Sequence, residues 1–410
     1  MGHISFLTGY SVRDKILPIF ITVNSLSWYF PLHMFLLETS TRLEVSYLTL
    51  LMFFGIYYCA ILISTIAGML LRRFISRNYL LLIWIFLGIF ASFFMLWLYR
   101  VNTLGVYAIF ALIGIALGLG FPHCLAYLGG SINIECRGGI GGITLFFAHL
   151  GMLLIGFLTM TIGFIQSVIL FTLWRTLCLI FLLIKRGKEE YQKEIIDVKY
   201  RTIVSERSFI LYLVPWITFC LVNFFEGPLQ QHYWGVEISA IVSTVEFGVA
   251  GIAALIGGFL ADMTGRKRII ILGYVLLGLG YALLSILPEN PISIGIYALF
   301  DGVAWGLFAL MFFVVIWGDL ADNKVKEKYY VLGVLPFIIL SYIWIIVIPF
   351  IKIISISMSF SLASFFLFLA VIPLMYAPET LPEKLIRQRE LREYVEKAKR
   401  IREKYEKGKD

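Results

Sequence analysis

The chain has 410 residues, of which 60% are hydrophobic and only 15% charged. A soluble domain is usually about 45–50% apolar and about 25% charged, so this composition excludes an ordinary soluble protein and points to a membrane one. The net charge of +8 does not make it a nucleic-acid binder, because the cations fall in loops and in the C-terminal tail rather than on one patch.

A membrane-crossing helix needs about 20 mostly apolar residues. Twelve such stretches follow in order: 16–37, 44–70, 79–99, 104–128, 139–163, 165–184, 208–233, 238–261, 269–287, 292–318, 329–350 and 354–376. The fifth and sixth are nearly fused. The first is too long for a signal peptide and lacks a small-residue cleavage site, so a retained helix is expected. The tail from Thr380 onward is highly charged with interspersed Leu and Val, the pattern of a surface helix.

Cations set the expected orientation, since cytoplasmic loops are enriched in Lys and Arg. With the N-terminus inside, the inner segments hold 30 of the 34 Lys and Arg, and only Arg42, Arg100 and Lys352 lie outside. Both termini are expected to be cytoplasmic, in a multi-pass protein of the cell membrane. The five cysteines (Cys59, Cys124, Cys136, Cys178 and Cys220) stand singly, with no metal-ligand spacing. No phosphate-cradling loop and no nucleophile–base cluster is visible. No metal, no cofactor and no enzyme activity is therefore expected.

An internal repeat organises the chain. The charged turn Gly258-Phe259-Leu260-Ala261-Asp262-Met263-Thr264-Gly265-Arg266-Lys267-Arg268 follows the eighth stretch, and a basic turn beginning at Gly68 follows the second, 190 residues earlier. Arg137 after the fourth stretch and Lys326 after the tenth stand 189 apart. The expected architecture is all-α, with twelve transmembrane helices in two pseudo-symmetric six-helix bundles around a central cavity. The expected units are an N-terminal bundle over 1–184, a linker over 185–207, a C-terminal bundle over 208–378 and a charged tail over 379–410.

Gly258-x-Leu260-Ala261-Asp262-x-x-Gly265-Arg266-Lys267 resembles the signature inner-loop motif of the major facilitator superfamily, departing from it at Met263, where a cation is usual. The run from Asp319 to Lys326 is similar to the acidic-to-basic pattern after the tenth helix of sugar-porter-like members, with Lys326 for Arg. Arg137-Gly138 and Pro378-Glu379-Thr380 are similar to that family's loops after helices four and twelve. The resemblance implies an alternating-access transporter in which Asp262 holds the inner side closed against the start of the fifth helix, near Arg137, Gly138 and Gly139. A helix N-terminus, with unpaired amides and partial positive charge, suits that carboxylate.

The N-terminal copy of the turn departs further: Arg72 stands for the Asp, Ile75 for the Gly and Ser76 for the Arg. Reversed polarity is expected there, with Arg72 or Arg73 approaching Asp319, Asp322 or Glu327. Solvation of these arginines, or contact with lipid phosphate, is the other reading.

Ionisable groups inside apolar stretches are costly and default to functional readings. Glu246, Asp301 and Glu226 lie at similar depths, about 12, 14 and 10 Å from the outer end at 1.5 Å per residue, and are the candidate proton-coupling carboxylates. Glu226 in wet headgroups and Glu246 as a buried partner of a neighbour stay open as alternatives. Asn223, Gln230 and Trp234 continue the Glu226 face of the seventh stretch at helical spacing, and Gly227-Pro228 is expected to break that helix. With Asn24, Trp28 and Tyr29 of the first stretch and Trp305 of the tenth, they are the candidate cavity residues. That polar and aromatic set suits a sugar or ring-bearing metabolite. His33 fits an interfacial aromatic belt equally well, and His123 and His149 read as packing histidines. For Arg175 in the sixth stretch, snorkelling, a carboxylate partner and an anion site remain open.

The expected function is proton-coupled uptake of a small organic solute by a monomer embedded in the lipid bilayer. The fifth stretch lacks the Gly-Pro-Gly-Gly signature of family drug antiporters, which favours import. A proton-driven exporter of toxic compounds and a non-transporting sensor are the alternatives.

Overall fold

In the computed structural model, residues 15–43, 45–72, 74–185, 198–321 and 325–382 are described, with Leu385, Leu391, Tyr394, Val395, Ala398 and Lys399 of the tail. The chain is all-α, with no strand among the described residues. Six helices build one half: α1 (Ile16–Thr41), α2 (Tyr47–Leu71), α3 (Arg77–Phe94), α4 (Thr103–Gly118, continued by Phe121–Ser131), α5 (Arg137–Thr161) and α6 (Phe164–Lys185). A short helix, Tyr200–Ser205, precedes the second half.

The next element runs 58 residues without a loop, from Arg207 to Thr264, and is divided only at Gly235, where φ is +80°. That conformation is open to glycine and interrupts the helical path, giving α7 (207–234) and α8 (236–264). Then come α9 (Arg266–Ile286), α10 (Pro291–Ala309, extended to Ala321), α11 (Lys326–Leu340, extended to Ile353) and α12 (Ile356–Leu369, extended to Tyr376). Among the described residues eleven helices are long and apolar enough to cross a membrane, and the division of the longest at Gly235 makes twelve candidate spans. The expected break at Gly227-Pro228 does not occur. Pro228 sits inside a continuous helix, since its fixed φ is helical and only one backbone bond is forfeited.

Start signals are local. Ser46, Ser76, Asn102 and Asn290 each cap a helix through the side-chain oxygen, satisfying an orphan amide of α2, α3, α4 and α10 respectively. Small residues then set the helix crossings. A Cβ on Gly142 would stand 2.4 Å from the Ala254 carbonyl oxygen, and one on Gly258 only 2.3 Å from that of Gly138, so α5 and α8 touch backbone to backbone between the halves. Gly306 does the same for α10 against α8, at 2.2 Å from the Ala250 oxygen. Close approach there brings the polar groups of α8 and α10 face to face.

Within α10 the segment Leu310–Val315 widens into a π-turn, entirely buried. The Trp317 indole N–H donates 2.6 Å to the Phe312 carbonyl, taking up an oxygen that the wide turn displaces from the α-helical pattern. α11 also loses regularity after Leu340, where a turn at Ser341–Tyr342 leads into shorter pieces.

Candidate functional site

Two clusters join the halves at the end of the molecule that carries the basic loops. In the first, both oxygens of Asp262, at the end of α8, accept backbone N–H groups from the start of α5: Gly138 at 3.0 Å and Gly139 at 2.7 Å. Asp262 also pairs with Arg266, which reaches Asp319 Oδ2 at 3.3 Å and donates to the Ile134 carbonyl at 2.7 Å. Asp319 pairs in turn with Arg137, whose guanidinium donates to the Gly129 and Ile132 carbonyls at 3.1 and 3.2 Å. All four side chains are buried. Two cations against two anions leave the cluster neutral, and its hydrogen bonds offset the desolvation that makes a lone buried charge unfavourable. Gly138 must be glycine, because a Cβ would meet the Gly258 oxygen at 2.5 Å and Asp262 Oδ1 at 2.7 Å.

The residues after α12 complete this cluster. Glu379 accepts the backbone N–H groups of Arg266 at 2.8 Å and Lys267 at 3.2 Å, capping the start of α9. Thr380 donates to Asp319 at 3.1 Å. Gly265 turns the chain between α8 and α9 at φ +101°, and a Cβ there would lie 2.5 Å from Glu379. Lys267 points away from the shared charges and donates to the Met375 and Ala377 carbonyls. Among the described tail residues Leu381 is buried, whereas Leu391, Tyr394 and Val395 are exposed. The rest of the expected surface helix lies outside the described residues.

In the second cluster α2 and α3 meet α11. Arg77 donates 2.8 Å to Glu327, and Arg72 lies 3.8 Å from the same oxygen. The polarity is reversed, as the departure of the turn at Arg72 suggests, and among the described residues Glu327 is the carboxylate that Arg72 and Arg77 approach. Asp319 is committed to Arg137 and Arg266, and Arg73 and Asp322 lie outside the described residues. Arg77, which the repeat pattern did not single out, makes the shorter contact. Glu327→Gln is expected to weaken this contact by about 1 kcal/mol, since both arginines keep part of their hydration. Spin labels at Phe74 and Val325 would show a modest shift to longer distance, smaller than any change at Asp262.

The candidate cavity residues divide into two groups. Asn24 and Trp28 are fully buried inside the first half, because Arg175 draws them there. Its guanidinium donates to Asn24 Oδ1 at 3.0 Å and Ser25 Oγ at 2.9 Å and stands 4.7 and 4.3 Å from the ring centres of Trp28 and Trp84. Arg175 thus has cation–π faces in place of a carboxylate. It does not snorkel, and it binds α1, α3 and α6 together. Gln230 and Trp234 likewise turn into the second half, bonding the Tyr297 hydroxyl at 2.8 Å and the Pro288 carbonyl at 2.9 Å. The helical spacing of these residues is as read, but the face points into its own bundle.

Tyr29, Asn223 and Trp305 lie at the meeting of the halves. The Trp305 indole N–H donates to Asn223 at 3.1 Å, and both remain half-buried. Tyr29 stacks on Phe121 at 5.3 Å. Around them stands an aromatic wall the sequence reading missed: Phe30 against Phe337 at 5.9 Å, Phe313 against Phe337 at 5.2 Å and Phe224 against Phe337 at 5.3 Å. His33 sits beyond it, bonded to Tyr57 at 3.0 Å. At the opposite end Tyr342 donates to the Leu51 carbonyl at 2.8 Å, so α2 and α11 also touch there. His149 holds the carbonyl of Leu145 in its own helix at 2.8 Å.

The three candidate proton-coupling carboxylates, Glu226, Glu246 and Asp301, all lie on helices, and Glu226 is in α7 rather than beyond its end. Asp301 of α10 and Glu246 of α8 lie close together where the two helices pack through Gly302 and Gly306. The Tyr297 hydroxyl, one turn away, stands 3.1 Å from Asp301 Oδ2 and 3.2 Å from the Tyr281 hydroxyl. Glu226 lies near Ser359, and its Oε2 has no partner among the described residues. Tyr297, four residues before Asp301, could have been found by helical spacing. Tyr281 carried no such signal. No group of three potential metal ligands occurs among the described residues.

Solved structures share this fold. The fucose:proton symporter FucP of E. coli aligns with TM-score 0.68 and 13% identity, over 90% of this chain and 100% of its own. A FucP structure in the outward conformation gives 0.72 at 11% identity, over 90% and 100%. The proton:xylose symporter XylE bound to 6-bromo-6-deoxy-D-glucose gives 0.64 at 13%, over 89% and 96%. No protein-family model and no curated protein sequence matches the chain. At such identities the common property is the fold, that of major facilitator superfamily transporters.

Proposed function

We propose that the chain, built on the major facilitator fold, is a secondary transporter that takes up a small neutral organic solute together with a proton by alternating access. It works as a monomer in the cell membrane with its basic loops and both termini in the cytoplasm. The observation that carries this reading is the Asp301–Glu246 pair. Two neighbouring carboxyl groups in an apolar layer repel when both are ionised, so the pair is suited to hold a proton. Asp301 accepts from Tyr297, so the proton of the pair belongs on Glu246, the more exposed of the two.

The solute site is the aromatic wall around Trp305 and Asn223, one turn of α10 from Asp301. Ring faces suit a sugar or a ring-bearing metabolite, and the Asn223 amide supplies a directional hydrogen bond. Asp262 and Glu327 are the cytoplasmic latches, which release when the halves rock. The N-terminal bundle (1–184), the linker (185–207), the C-terminal bundle (208–378) and the tail (379–410) remain the working division.

Flux into proteoliposomes tests the reading. Labelled L-fucose, D-xylose and a panel of neutral ring-bearing solutes would be supplied with and without an imposed pH gradient. Gradient-dependent accumulation of any of them is expected. Accumulation of substrate only when the gradient drives efflux would favour the exporter. Absence of flux for the whole panel, with solute binding retained, would favour a sensor.

A further inference from the structure

We infer that Glu226 is a second proton station, sealed from solvent, that exchanges its proton with the Asp301–Glu246 pair through the phenols of Tyr281 and Tyr297. The inference rests on the proposed proton-coupled reading but concerns a different residue and route.

Glu226 is buried in the middle of the second half, between α7 and Ser359 of α12, with Oε2 unpartnered among the described residues. An ionised carboxylate with a free oxygen is unfavourable there, so the group needs a proton or a way to receive one. Gln230 lies one turn further along the same face of α7. Its amide Nε2 donates to both phenols, at 2.8 Å to Tyr297 and 3.4 Å to Tyr281. With both phenol oxygens accepting from Gln230, the single Tyr297 hydroxyl proton is placed between two acceptors, Tyr281 at 3.2 Å and Asp301 at 3.1 Å, and a turn of that hydroxyl switches it from one to the other. Glu226 lies one helical turn from Gln230, which bonds the Tyr281 hydroxyl, and its Oε2 has no hydrogen bond to any described residue. The contacts therefore run from Tyr281 through Tyr297 to Asp301, beside Glu246, and the route is open at one link, the Glu226 end.

Closing that link transfers one proton without any net change in the phenols. The Glu226 O–H breaks as Tyr281 gains its proton. Tyr281 passes its own proton to Tyr297, and Tyr297 passes its own to Asp301. The negative charge moves the other way, from Asp301 to Glu226. The open link keeps the sealed station from equilibrating freely, so exchange waits on a movement of α7 relative to α9 and α10. Gly227 lies at this point of α7 against the Trp344 ring of α11, where a Cβ would be 1.9 Å from the ring, so motion of α11 bears directly on the backbone beside Glu226.

Infrared spectroscopy of the full-length protein in lipid tests this without any substrate. Glu226→Gln should remove one protonated-carboxyl band. After transfer to deuterated buffer, the isotope shift of that band should slow about tenfold or more in Tyr281→Phe and in Tyr297→Phe. Phe keeps the ring packing, and unchanged backbone amide exchange would show that each variant is folded. Persistence of every carboxyl band in Glu226→Gln would overturn the inference, as would a wild-type exchange rate in either Phe variant. Should Tyr297→Phe fold poorly, Gln230→Leu, which frees the phenols to reorient, is expected to slow the same band, and a wild-type rate in it would also count against the route. Loss of the transport reading, seen as flux indifferent to the pH gradient, would leave these infrared results intact, so the two failures are distinguishable.

Discussion

Asp262→Asn is expected to open the basic end of the protein and to stop solute flux. The wild-type carboxylate serves two backbone amides with two oxygens and balances Arg266. Asn offers one acceptor and no charge, so one of the Gly138 and Gly139 amides loses its partner and the buried cluster is left with an excess cation. Removing one partner of a buried pair costs about 3–5 kcal/mol. Two transport conformations differ by only a few kcal/mol, so this shifts their ratio by roughly 10²–10⁴-fold. The site is suited to direct measurement, because Asn133 and Met263 are exposed and flank the contact. Spin labels there should report a longer distance in the variant, and expression and monodispersity should be maintained. An unchanged distance distribution would mean that the latch lies elsewhere.

The same contact shows what was legible in the sequence. Asp262, the two glycines of its turn and the start of α5 could be read because each is a local signal repeated at one offset, and a helix N-terminus binds a carboxylate whatever the surrounding fold. Helical spacing likewise grouped Asn223, Glu226, Gln230 and Trp234 on one face. What spacing cannot supply is the rotation of that face relative to its own bundle. A polar stripe facing a wet cavity and one facing buried partners have the same period. The decision rests on Arg175 for α1, and on Tyr281, Tyr297 and Ser359 for α7. Those residues lie 51 or more positions away and have no pattern of their own. Gly235 was hidden for a related reason: one positive φ replaces a whole loop, so two membrane crossings merge into one 58-residue element.

The asymmetry between the latches also sharpens the expectation for the carboxyl pair. The Arg77–Glu327 contact is partly hydrated, whereas Asp262 and Asp319 are sealed among their cations. Opening the basic end therefore needs a free-energy source, and the proposed source is the proton held between Asp301 and Glu246. One pH unit across the membrane is worth about 1.4 kcal/mol per proton, which supports about tenfold accumulation of solute at one proton per cycle. Asp301→Asn keeps a carbonyl that can accept from Glu246 and from Tyr297, so local packing is preserved, but it cannot take up a proton. Accumulation is expected to fall from about tenfold to unity under that gradient, with any residual flux indifferent to pH. Glu246→Gln is expected to lose the same response by the opposite route. Its amide still donates to Asp301 but never releases a proton, leaving Asp301 ionised throughout the cycle. Gradient-driven accumulation persisting in both variants would remove the pair from the coupling mechanism. Loss in one variant alone would assign the transported proton to that carboxyl.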